Sequence, residues 1–256
     1  MTDWTLITGA SEGLGREFAD IAAASGRSVI VSARQKDKLE ALAAELRTRH
    51  RVEALVIPAD LSRPGEAERL WAAAADGRRI DILVNNAGLG YNGAFAGEDI
   101  GRETATLSVN AVALTVLMQE AVRHMLASGG GRIMNVASTA AFMPGPGMAV
   151  YHATKAYVLS LSEAVADELR GKPVTVTALC PGATATNFAR DAQMEGITLF
   201  KMGGLPSARS VADTGWRGML AGRRVVVTGA MNKVFAFLPR LLPRSLVTRV
   251  AGVFLR

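Results

Sequence analysis

The sequence predicts an α/β fold, a doubly wound parallel sheet of about seven strands with helices on both faces. Three observations carry this. The strand-length segments are continuous apolar runs rather than alternating ones, as expected of strands buried on both faces. Helical patterns separate these runs along the chain. The first run ends in a glycine-rich turn that opens directly into a helix.

In order, Trp4 to Thr8 is the first strand, and Arg16 to Ser25 is an alanine-rich helical pattern. Val29 to Ser32 is a buried strand, Lys36 to Arg49 a helix and Glu53 to Ala59 a third strand. Leu61 to Asp76 has a helical pattern with Ser62 as its expected N-cap and Pro64 near its first turn. Ile80 to Asn85, Arg132 to Ala137, Val174 to Cys180 and Val225 to Thr228 supply four more strands, and Arg102 to Ala127 and Tyr151 to Arg170 form long helices.

With 256 residues and 49% hydrophobic content, the chain is expected to form one domain over 1–256. Its single cysteine, Cys180, excludes an intrachain disulfide. His50, His124 and His152 are widely spaced, so no metal site is expected and a cytoplasmic protein is. The N-terminus, interrupted by Asp3, does not fit a secretion signal, and no unbroken apolar run reaches the roughly 18 residues of a spanning helix. The net charge of +6 is uneven: from Thr214 to Arg256 there are eight basic residues and no acid, leaving −2 for the rest. That distribution argues against a nucleic-acid groove across the body.

In doubly wound sheets ligands bind beyond the carboxyl ends of the strands, so the residues there carry the chemistry. The turn Thr8-Gly9-Ala10-Ser11-Glu12-Gly13-Leu14-Gly15 combines tight-turn glycines with a helix start whose free N–H groups attract an anion, as a diphosphate site requires. A later segment, Val227-Thr228-Gly229-Ala230, echoes it without the following glycines and is read as a decoy. Tyr151 and Lys155 lie four residues apart, hence on one face of a helix. A free phenol has a pKa of about 10, and a neighbouring cation is expected to lower it.

The set TGASEGLG at 8–15, NNAG at 85–88, Asn110, Ser138, YHATK at 151–155 and Pro181-Gly182 resembles the short-chain dehydrogenase/reductase superfamily in order and spacing, over nearly the whole chain. The resemblance implies a Rossmann-type fold and an oxidoreductase interconverting a carbonyl and an alcohol. It implies that Tyr151 is the general acid/base, that Ser138 bonds the substrate oxygen, and that Lys155 tunes Tyr151 and bonds the nicotinamide ribose. Asn110 would help hold a water linking Lys155 to solvent. Gly9, Ser11, Gly13, Leu14 and Gly15 would meet the cofactor diphosphate, Asp60 the adenine, and Asn86, Ala87 and Gly88 the adenine ribose. Gly182, Thr184 and Thr186 would lie beneath the nicotinamide.

An acid at the end of the second strand would bond a ribose 2′-hydroxyl, whereas a 2′-phosphate needs a cation. The family's place for that acid is Ala33 here, followed by Arg34, so NADP(H) is favoured over NAD(H). Glu12 departs from relatives that carry a second basic residue before the middle glycine. Residues 187–222, with Phe188, Met194, Ile197, Leu199, Phe200, Met202 and Leu205, read as a flap over an apolar substrate. Phe142, Met143 and Met148 are the expected opposite wall. The basic, apolar segment 231–256 leaves four roles open: docking on its own domain, on a partner subunit, at a substrate entrance or on an anionic membrane. The resemblance also implies a homodimer or homotetramer paired through the two long helices. The rival reading is a catalytically silent NADP(H)-binding scaffold, which has no need of the Tyr151–Lys155 pair beside a serine.

Overall fold

A computed structural model describes residues 3–97, 99–193 and 204–255. Its seven strands form one sheet in the order β3-β2-β1-β4-β5-β6-β7, and all the pairings are parallel. The strands are β1 (Asp3–Thr8), β2 (Ser28–Ser32), β3 (Ala54–Val56), β4 (Arg79–Asn85), β5 (Gly131–Val136), β6 (Val174–Cys180) and β7 (Val225–Val227).

Alternate residues of each strand feed opposite cores. Ile7, Val29, Val31 and Val84 pack under α1 (Gly13–Ala24) and α2 (Lys36–His50). Leu6, Ile30, Leu83 and Ile133 pack on the other side with Leu70 of α3 (Glu66–Ala75) and Leu117 of the long helix. Both faces are therefore dry, which is why the strands read as unbroken apolar runs. The strand order reverses between β1 and β4, the switch point outside whose carboxyl ends ligands bind in sheets of this kind.

Several elements depart from the sequence reading. Helix α3 begins at Glu66 rather than Leu61, because the Asp60 carboxylate accepts bonds from the Ser62 hydroxyl (2.7 Å) and N–H (3.2 Å), which tightens the chain into a turn. Ser62 is thus no N-cap; that place falls to Gly65, at φ 80°. Strand β3 covers only Ala54–Val56 of the expected Glu53–Ala59, since Pro58 has no N–H to donate, although Ala59 N–H still bonds the Ala33 carbonyl at 3.1 Å.

The long helix is continuous but not uniform. Between α4 (Ile100–Leu107) and α5 (Leu114–Ala127), Ser108–Ala113 forms a π-helical turn. By length and composition the stretch Ile100–Ala127 could cross a membrane, yet Leu117, Met118, Ala121 and Met125 bury one side of it in the sheet core, as in a core helix.

The expected flap divides in two. Phe188–Asp191 is a short helix, α7, whereas Ala208–Leu220, α8, packs against the sheet with Trp216 and Met219 in the core. Gly215 and Gly218 let that helix approach Leu179 and Val226 closely, so the second half of 187–222 is structural core. Met194, Ile197, Leu199, Phe200 and Met202 lie outside the described residues.

Candidate active site

The glycine-rich turn leaves β1 through Gly9 at φ 65° and enters α1 at Gly13, φ 56°. Gly15 needs to be glycine for a different reason: a Cβ there would overlap the Gly9 carbonyl oxygen. Thr8 and Asn86 clamp this turn to the end of β4. The Thr8 hydroxyl accepts from the N–H groups of Asn86 and Ala87, both at 3.0 Å, and the Asn86 amide donates to the carbonyls of Thr8 (2.9 Å) and Gly9 (3.2 Å).

The site fits an anionic dinucleotide. Helix α1 has no side-chain cap and no acid in its first turn, so its opening N–H groups and dipole face outward at the turn. Leu14 turns its side chain into the core and so offers a ligand only its backbone. Ser11 is partly exposed on the same turn. The Glu12 carboxylate swings away from the helix end. It accepts from the Asn187 amide at 3.1 Å and pairs with Lys38 at 3.4 Å, and the Asn187 bond is the main cause of its lowered pKa.

Arg34 is exposed beyond β2, and its charge helps lower the pKa of Asp60, although the bond from Ser62 is the larger cause. Asp60 is thus engaged by its own turn rather than by a helix start. Thr186 lies against the turn, 3.4 Å from where a Cβ on Gly13 would stand. Thr184 donates to the Gly182 carbonyl at 3.0 Å, and Gly182 itself packs against Asn232 of α9 (Ala230–Phe237). The segment read as a decoy therefore opens a helix that supports this loop.

The four expected catalytic residues converge from three elements. Tyr151 and Lys155 lie on α6 (Ala149–Glu168), with the Lys155 Nζ 5.7 Å from the centre of the phenol ring. Ser138, just past β5, accepts from the Ala140 N–H at 3.1 Å and acts on the Tyr151 phenol to lower its pKa. Asn110 sits in the π-helical turn. It accepts from the Leu89 N–H and donates to the Leu89 carbonyl, both at 2.8 Å, and donates to the Thr154 hydroxyl at 3.0 Å. Gly88 lies between the two polar groups: a Cβ there would stand 3.4 Å from Lys155 Nζ and 3.5 Å from Asn110 Oδ1.

The electrostatics reverse one expectation. Burial pushes the Tyr151 phenol up to about 12, with Ser138 opposing it, and burial brings the Lys155 ammonium down to about 8. Desolvation disfavours both charged forms and outweighs their mutual attraction at this separation. Lys155 donates instead to the Val136 carbonyl at 2.8 Å. Tyr151 keeps its proton.

Further residues shape the surround of Tyr151. Phe188 packs at a tilt against Tyr151, 5.6 Å between ring centres, and Gly90 leaves the space that the Tyr151 ring occupies. Met148, Ala140 and Ala192 complete the surround, with Leu255 packed against it. His152 holds the expected wall in place, its Nδ1 2.8 Å from the Met143 carbonyl. Beneath the site Asn85, Asn135 and Ser162 form a buried chain of bonds at 3.0 and 2.9 Å. Phe188 and Met148 belong to the expected flap and wall, whereas Gly90, Ala192, Leu255, Asn135 and Ser162 carry no local signal, because each acts through partners far along the chain. Among the described residues no group of three His, Cys, Asp or Glu side chains could hold a metal.

Residues 3–195 match the family model described as short chain dehydrogenase. The chain belongs to the short-chain dehydrogenase family. It is an oxidoreductase of that family. A 7beta-hydroxysteroid dehydrogenase of Collinsella aerofaciens is 34% identical over 184 residues, 72% of this chain and 70% of that protein. A short-chain dehydrogenase of Sphingobium yanoikuyae, solved in complex with NADPH, is 33% identical and superposes with a TM-score of 0.83 over 89% of this chain and 88% of that one. A 3-ketoacyl-(acyl-carrier-protein) reductase of Brucella melitensis, solved with NADH, is 28% identical, with a TM-score of 0.77 over 88% and 96% of the two chains. This family fold thus occurs with either nicotinamide cofactor bound.

Proposed function

We propose that the protein is an NADP(H)-dependent oxidoreductase that interconverts a carbonyl and an alcohol on an apolar substrate. The observation that carries this reading is the convergence of Ser138, which lowers the phenol pKa of Tyr151 against burial, with Tyr151 and a buried Lys155 that donates to the Val136 carbonyl at 2.8 Å. The bound nicotinamide would supply or accept the hydride. Tyr151, protonated at neutral pH, gives its proton to the developing alkoxide in reduction and takes it back in oxidation. Ser138 holds the substrate oxygen where negative charge gathers. Lys155 orients the nicotinamide ribose, and its ammonium favours phenolate once Tyr151 has lost the proton. Asn110 holds Leu89 and Thr154 and so fixes the loop and helix between which Lys155 sits.

For the diphosphate, Gly9, Ser11, Gly13, Leu14 and Gly15 supply backbone donors and close approach. Asp60 and the Asn86-Ala87-Gly88 loop receive the adenosine, and Gly182, Thr184 and Thr186 receive the carboxamide end. Arg34 pairs with the 2′-phosphate, which supports NADP(H) over NAD(H), as does the NADPH-bound relative. The apolar surround of Tyr151, from Phe188 and Met148, supports an apolar substrate. Exposed Val112 and Tyr157 on the two long helices support pairing of subunits into a homodimer or homotetramer.

Tyr151→Phe tests the reading directly. NADPH binding, followed by fluorescence, is retained while carbonyl-dependent NADPH oxidation is lost; undiminished turnover would exclude Tyr151 as the acid.

A further inference from the structure

The C-terminal segment carries an outward surface that the proposed chemistry does not use. Eleven of the eighteen large apolar side chains exposed among the described residues fall between Met231 and Phe254. Such concentration on a single stretch of chain marks an interaction surface rather than scattered exposure.

The pattern is helical and two-sided. On α9, Asn232 and Ala236 face inward, Asn232 donating to the Thr228 carbonyl at 2.7 Å, while Met231, Val234 and Phe235, with Leu238 in the turn that follows, are exposed at i, i+3, i+4 and i+7. On α10 (Arg244–Phe254), Val247 and Ala251 are buried and Gly252 packs against Pro146. Leu246, Val250, Val253 and Phe254 form its exposed stripe. Each helix is thus anchored to its own domain by one face and presents a second apolar face outward.

Charge selects the occupant. Lys233, Arg240, Arg244 and Arg249 are exposed along the same stretch and form no ion pair with any described residue. The sequence places no acid from Thr214 onward. A second copy seated face to face would set these cations against themselves, since a two-fold interface pairs each patch with its own image. An anionic lipid surface instead receives apolar side chains between headgroups and pairs with the flanking cations.

We infer that helices α9 and α10 dock the protein on anionic membranes. Leu255, at the end of α10, packs against the cluster around Tyr151, so docking would set the substrate entrance at the lipid interface. That consequence rests on the proposed function, whereas lipid binding does not.

The test is sedimentation of the full chain with vesicles of phosphatidylcholine alone and of equal phosphatidylcholine and phosphatidylserine, at low and high salt. Binding is expected only to the phosphatidylserine vesicles and is expected to weaken as salt is raised. Combined Arg240→Gln, Arg244→Gln and Arg249→Gln lowers partitioning roughly a hundredfold, from about fivefold per cation. Phe235→Ser with Val253→Ser weakens it independently, and an unchanged thermal midpoint verifies the fold of these surface variants. Three results would overturn the inference: no binding to phosphatidylserine vesicles at low salt; binding indifferent to both sets of substitutions; or, without lipid, a wild-type dimer that the serine variant splits. Because sedimentation needs no turnover, a silent enzyme that still binds lipid would refute only the proposed chemistry.

Discussion

The Ser138 hydroxyl lowers the pKa of the Tyr151 phenol although one lies just past the end of β5 and the other in the first turn of α6. Ser138 is the one influence that lowers the phenol pKa against burial. Ser138→Ala therefore loses the group facing the substrate oxygen and also raises the phenol further. We expect kcat to fall by about 10²–10³, the scale of one lost oxyanion donor, with NADPH affinity unchanged. Steady-state rates beside a fluorescence titration decide this, and full activity in the variant would remove Ser138 from the mechanism.

Cofactor choice should respond to two charges. Arg34→Asp places a carboxylate where a 2′-phosphate would sit, so the ratio of kcat/KM for NADPH over NADH should drop by at least tenfold. Glu12→Gln acts in the opposite sense, because it releases Lys38 from its 3.4 Å ion pair and removes a negative charge beside the turn. NADPH is then bound severalfold more tightly while NADH changes little. An NADH affinity that rises equally would point to turn geometry rather than charge.

Lys155 is expected to be kept at a cost to stability. Its folded pKa, about 8, lies below the roughly 10.4 of an unfolded lysine, so the unfolded chain binds more protons between these values and stability rises with pH through that window. Below pH 8 the burial penalty is present in full. Lys155→Met removes it, and the gain, on the order of 1 kcal/mol, raises Tm by about 2–4 °C at pH 7. The advantage shrinks as pH approaches 10, where the wild-type lysine is neutral in the fold. Melting curves at both pH values test this, and a less stable variant at pH 7 would show that the bond to Val136 outweighs desolvation.

Gly90 leaves room for the catalytic ring. A Cβ there would stand 2.7 Å from Tyr151 Cδ2 and 3.2 Å from Phe188, so Gly90→Ala must displace one ring. Turnover should fall at least tenfold while NADPH binding holds. Phe188→Ala in the same background should restore part of it, and failure of that rescue would count against the Phe188 contact.

Much of this arrangement was legible in the sequence because it depends on local order. The apolar runs identified the strands, the spacing of Gly9, Gly13 and Gly15 identified the turn, and the four-residue step from Tyr151 to Lys155 placed both on α6. The start of α3 was hidden because the bonds from Ser62 to Asp60 compete with helix initiation through side-chain geometry. The direction of the phenol pKa was hidden for a different reason. Desolvation is set by Phe188, Met148 and Leu255, which surround Tyr151 only after the chain has folded. The clamp of Asn86 on Thr8 and Gly9 likewise joins strands far apart in sequence.

The π-helical turn at Ser108–Ala113 amounts to one residue more than a regular helix would hold. Excising a single residue, Ala111 for example, would let the backbone run straight through with its ordinary bonds restored. The flanking halves would keep their register, because the π turn already absorbs the extra residue, but the side chains within the turn, Asn110 among them, would project in new directions. Asn110 would leave Leu89 and Thr154 together, and with them the support beside Lys155. The shortened chain is the more regular helix and the poorer catalyst, so the extra residue is an irregularity that selection for activity, not for helix stability, would preserve.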